Sequence, residues 1–222
     1  MFKNVQADSD SMIVEIREFL ELISEKSPVL LSPVPRYINT AKGLIYVQLY
    51  GVIENTILRT LSKTIDYINN EKISLSNLKP VILALALNNE LDSLIHVNKK
   101  KWDKRYDLFL RLDVDSVIEI SNVLVPTDGK NIGISQLHSI WRTFNMKAPI
   151  FDDPTFGGRL TEIVTNRINI AQGNVPASDI GKSLTISDLN DRISEVSAFC
   201  SYFISTFNEY VTCKRYLIGD EE

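Results

Sequence analysis

A chain of 222 residues with 44% apolar and 23% charged side chains has the make-up of an ordinary globular protein and is long enough to bury a sizeable core. A net charge of −4 excludes a protein that grips nucleic acid by bulk basicity, while leaving room for a local basic site. The longest apolar run, Val81 to Leu87, is too short to span a bilayer, and the first ten residues lack the apolar stretch of a secretory signal, so a cytoplasmic location is expected.

Met12, Ile16, Phe19 and Ile23 recur at helical spacing behind the capping types Asp8, Ser9, Asp10 and Ser11, which predicts a first helix from Asp8 to Ser27. Pro28, Pro33 and Pro35 forbid its continuation and predict an extended connector. A long helix is expected from Thr40 to Asn70, with Tyr50, Ile53, Ile57, Leu61, Ile65 and Ile68 along one side. A shorter apolar helix follows from Leu78 to Leu91, with Pro80 in its first turn. Between Lys99 and Lys130 the periodicity weakens, residues 99–131 read as an irregular insert, and Val117 to Val125 suits either a helix or a short strand.

Ile134, Leu137, Trp141 and Phe144 mark a further helix that ends before Pro149. Asp152-Asp153-Pro154 through Gly157-Gly158 has the composition of a loop, and helix resumes from Arg159 to Gly173, a residue suited to a left-handed terminating turn. The last helix starts at the capping-box-like Thr185-Ile186-Ser187-Asp188. Its positions Leu189, Ile193, Val196, Cys200, Phe203, Phe207 and Tyr210 form a seam against other helices, within the chain or across a dimer. Cys200 and Cys213 on that helix lie ~20 Å apart along its axis and cannot pair. The whole reads as an all-α bundle of about six or seven helices, with 1–222 as a single helical domain.

Two charges stand where apolar residues are expected. At ~100° per residue, Arg167 falls in the middle of a stripe formed by Leu160, Ile163, Val164, Ile170 and Ala171, and Glu54 falls among Tyr50, Ile57, Leu61 and Ile65. A charge leaving water is costly unless paired, so the economical expectation is that Glu54 and Arg167 face each other across a helix contact. The alternative is that each side chain reaches past its neighbours to solvent.

Arg167-Ile168-Asn169-Ile170-Ala171-Gln172-Gly173, in this helical order, resembles the motif of the HEPN superfamily, commonly Arg-Asn-x-Ile-Ala-His-Gly in the branch this chain looks most like. The long second helix with Gly51-Val52-Ile53-Glu54, the Gly-rich approach to the motif helix, the loop from Asn174 to Leu184 and the long terminal helix extend the resemblance over most of the chain. It implies a helical bundle, often dimeric, from toxin–antitoxin, phage-defence or RNA-processing systems. In active members of such a family the motif implies metal-independent RNA cleavage, with the histidine exchanging protons and the arginine stabilising transition-state charge. Arg167 would take the second role, Asn169 belongs to the motif, and Gln172 stands where the histidine would be.

A neutral amide does not exchange a proton at neutral pH, and Ile168 replaces the polar residue that usually follows the arginine. The leading expectation is therefore a catalytically impaired homodimer that binds RNA or a protein partner such as an antitoxin. An active endoribonuclease and a structural partner-binding module presenting the terminal seam are the alternatives. On a straight helix Gln172 points about 140° away from Arg167, so the two meet only if the helix loosens or a second subunit contributes. His138 borders an apolar stripe and reads as a packed or partly exposed side chain rather than a displaced catalyst, while His96 precedes the basic cluster Lys99, Lys100, Lys101, Lys104 and Arg105, which suits phosphate contact or a solvated face. With no metal-ligand spacing or glycine-rich phosphate loop, no cofactor is expected.

Overall fold

The computed structural model describes residues 1–27, 33–95, 99–113, 116–122, 126 and 131–219. The chain is an all-α bundle: α1 (Lys3–Lys26), α2 (Arg36–Asn70), a 3-10 turn (Leu75–Asn77), α3 (Leu83–Ala86), α4 (Asn88–Ile95), α5 (Lys101–Asp113), α6 (Ile134–Thr143), α7 (Phe156–Ala171), α8 (Ala177–Lys182) and α9 (Ile186–Thr212). Extended pairing among the described residues is confined to isolated bridges, Ser74 with Val117 and Leu78 with Leu217. These pin the middle segment to the chain's end.

The core forms around α2, against which α1, α7, α8 and α9 all pack. The predicted face from Tyr50 to Ile68 is buried, and so are Ile45, Tyr46, Leu49 and Val52. Burial on several sides is what a central helix requires. Every position of the α9 seam, Leu189 to Tyr210, is buried, and α9 packs on α1 and α2. The seam is thus used inside the protomer, which removes it as an argument for a dimer and as the surface of a partner-binding module.

Several boundaries differ from the sequence expectation. The first helix begins at Lys3 because Phe2 and Val5 join the core, and the supposed caps are interior: Asp8 pairs with Arg59 and Ser9 accepts a hydrogen bond from Thr56 at 3.2 Å. The helix expected from Leu78 to Leu91 is broken at Leu87 into α3 and α4, and residues 101–113 of the expected insert form α5. In the remainder of that insert, Val117 forms a bridge and Ile118 and Ile120 are buried, with residues 123–125 outside the described ones. Gly157 and Gly158 belong to the first turn of α7, not to a loop; Phe156 stacks on Phe199 at 4.7 Å and draws the helix start back.

The stretch from Asn174 to Leu184, expected as a loop, contains α8. A Cβ on Gly43 would lie 2.0 Å from the carbonyl oxygen of Ala177, and one on Gly181 would lie 1.8 Å from that of Asn39. The two glycines let α2 and α8 cross with backbones in contact. The Lys42 ammonium, largely buried, donates to the Leu184 carbonyl, and burial pushes its pKa down while Asp188 acts in the opposite sense. The segment that follows the motif is therefore clamped to α2. At α9 the predicted capping box forms, with Thr185 accepting from the Asp188 amide and Asp188 accepting from that of Thr185.

Candidate functional site

Arg167 sits on α7 where the apolar stripe stops being buried. Leu160 and Ile163 are in the core, Val164 packs on its edge, Ile170 is half-buried and Ala171 is exposed. The guanidinium does not leave for solvent. It lies over the Tyr50 ring at 4.7 Å and donates through Nη1 to Asn131 Oδ1 at 2.9 Å.

Tyr50, itself buried, is the centre of the arrangement. Its hydroxyl donates to Glu54 Oε1 at 2.9 Å, one turn along α2, and accepts from the Ile132 amide at 2.9 Å. Burial raises the phenol pKa to about 12, with the Ile132 hydrogen bond acting against that rise and Glu54 adding to it. Glu54 and Arg167 do face the same helix contact, but no ion pair joins them: Tyr50 stands between, offering its ring to the cation and its proton to the carboxylate. An aromatic ring fills the space that a direct pair would need, and each charge finds a partner on a different part of it.

Among the described residues, Arg167 is thus held by a neutral amide and a ring face rather than by a carboxylate. Its positive charge stays uncancelled by direct contact while its position is set from two sides. That combination suits a group that receives an anion.

Gln172 does not join it. α7 keeps helical geometry through Ala171, Gln172 is the capping residue, and Gly173 takes a left-handed φ of +70°. The amides of Gly173 and Asn174 close onto the carbonyls of Ile170 and Asn169, at 3.1 and 2.9 Å, which is the double closure expected when glycine ends a helix. Gln172 is exposed and its Oε1 accepts from the Asn174 side chain at 3.0 Å. The helix does not loosen, so the two motif positions diverge within one protomer. Asn169 is half-buried and contributes its carbonyl to the closure.

Of the two histidines, His138 is exposed on α6, and His96 lies outside the described residues. Lys99, Lys100, Lys101, Lys104 and Arg105 are all exposed on and just before α5. α5 packs chiefly on α4 and the 3-10 turn, whereas α7 packs on α2, α6 and α9, so the basic cluster and the motif belong to different parts of the surface. Arg111 fastens α5 to Glu90 of α4.

Sequence reasoning missed two holders of Arg167. Tyr50 stands four before Glu54, the spacing at which a phenol reaches a carboxylate on one helix face, but in the sequence it is indistinguishable from the apolar residues of the same stripe. Asn131 lies in a stretch without periodicity and carried no signal. A second cluster one turn back on α2 was also missed: Tyr46 donates to Glu162 of α7, and Arg192 of α9 pairs with both Glu162 and Glu195, each at 3.1 Å.

A family model, MAE_28990-like HEPN, matches residues 1–216. The chain belongs to this HEPN family. No curated protein and no solved structure matches it. Membership supports a HEPN-type role, RNA-related or in toxin and defence systems. No helix among the described residues of this HEPN protein is long and apolar enough to cross a membrane.

Proposed function

We propose that this HEPN protein is a catalytically impaired member that acts as a dimer by binding RNA, or a protein partner such as an antitoxin, in a toxin–antitoxin or defence setting. The observation that carries this reading is the divergence of the motif's two chemical roles. Arg167 is held rigidly with its charge uncancelled by contact, fit to receive a phosphate, whereas Gln172 is a solvent-facing amide that cannot exchange a proton at neutral pH. Loss of general acid–base help costs about 10²–10⁴ in rate, so binding outlasts cleavage.

A dimer is the arrangement in which Arg167 of one protomer and position 172 of the other share one site, since one protomer keeps them apart. Light scattering at micromolar concentration is expected to give twice the 25.2 kDa chain mass. Incubation of the purified protein with total RNA is expected to leave the RNA largely intact. Gln172→His is expected to restore cleavage, and Arg167→Ala on that background to abolish it again. Robust cleavage by the unmodified protein that Arg167→Ala removes would overturn the reading in favour of an active endoribonuclease.

A further inference from the structure

α5 turns a row of aromatic rings to solvent. Trp102, Tyr106 and Phe109 are 76%, 67% and 66% exposed, while Leu108 on another side of the helix is buried and holds it to the core. At ~100° per residue the three rings lie within a stripe about 60° wide. Exposed apolar surface gathered in one place marks an interaction site more often than scattered residues do.

The same stretch concentrates positive charge in a chain whose net charge is −4: Lys99, Lys100, Lys101, Lys104 and Arg105 outnumber the acids Asp103 and Asp107. The Arg105 guanidinium lies 4.8 Å over the Trp102 ring, so a cation is fixed beside the aromatic row. A partner that satisfies both features must be a polyanion carrying flat, unpaired rings.

We propose that this face of α5 is a stacking platform for single-stranded RNA, with the cations at the start of the helix taking phosphates and Trp102, Tyr106 and Phe109 taking bases. The proposal rests on the RNA-directed reading above and places the strand on a surface separate from the Arg167 site. From Trp102 to Phe109 the helix rises about 10 Å, which accommodates two to three nucleotides at ~3.4 Å each. A duplex keeps its bases stacked on one another, and an acidic peptide would satisfy the lysines while leaving the rings bare; neither uses the whole face.

Trp102 reports on its own site, because the other tryptophan, Trp141, is 6% exposed and packed against Phe203 and Phe207. Titrating the full-length protein with a short oligoadenylate at low salt is expected to quench tryptophan emission, and Trp102→Phe is expected to remove that response. By anisotropy of the labelled strand, the double variant Trp102→Ala/Tyr106→Ala is expected to bind at least about 30-fold more weakly with an unchanged Tm, these side chains being exposed. If the strand binds both proteins equally and emission does not change, the platform is wrong and the RNA-directed reading survives. If the unmodified protein binds no RNA, both fall. If polyglutamate or an RNA duplex quenches as strongly as the single strand, the face is a docking surface for acidic polymers and the proposal is overturned.

Discussion

Two tyrosines one turn apart on α2 meet α7 in different ways. The Tyr46 hydroxyl donates to a carboxylate, Glu162, that two arginines also reach, Arg192 at 3.1 Å and Arg159 at 3.7 Å, with Glu195 completing the set. Charges there are paired across α2, α7 and α9. Around Tyr50 the carboxylate and the guanidinium are kept apart by the ring, and the guanidinium's hydrogen-bond partner is the neutral Asn131. The first cluster neutralises its charges and serves as a clamp; the second positions a charge without neutralising it. Among the described residues, Arg192 is thus paired with two carboxylates, whereas Arg167 is held by an amide and a ring face.

The largest expected effect tests what both clusters stand on. Gly181→Ala forces a Cβ into the Asn39 carbonyl and is expected to cost about 3 kcal/mol in urea or thermal unfolding. A loss below about 0.5 kcal/mol would mean that the α2–α8 crossing is not in contact. Next, Arg192→Met strips Glu162 and Glu195 of their shared partner in the half-buried clamp, with an expected loss of about 2 kcal/mol and no change in RNA affinity.

Arg167→Met is expected to be milder in stability, about 1 kcal/mol for one hydrogen bond and one cation–π contact, yet to weaken RNA binding. A cost of about 3–5 kcal/mol would instead signal a direct buried pair with Glu54, and equal RNA affinities of the two variants would erase the contrast. The smallest effect is alkaline. Tyr50 is held near 12 by burial, and burial also raises Tyr46 and Tyr210 above the ordinary 10.0, so unfolded phenols ionise before folded ones. The tyrosines' contribution to stability should be flat below about pH 10 and decline as pH rises toward 12, with phenolate absorbance lagging until unfolding. Tyr50→Phe should reduce that slope.

The sequence by itself determined the helical class, the long α2, the capping of α9 at Thr185 and Asp188, the stop at Gly173 and the oddity of Arg167. Each is a property of one helix, written in local periodicity, capping chemistry or backbone freedom. The tertiary structure decided what lies between Glu54 and Arg167, that the α9 seam closes within the protomer, that two glycines join α2 to α8, and that the weakly periodic stretch becomes α5 with its rings outward. Those outcomes depend on how closely and at what rotation helices cross, and a ring, a glycine or a charge is assigned its role only when a second element arrives against it.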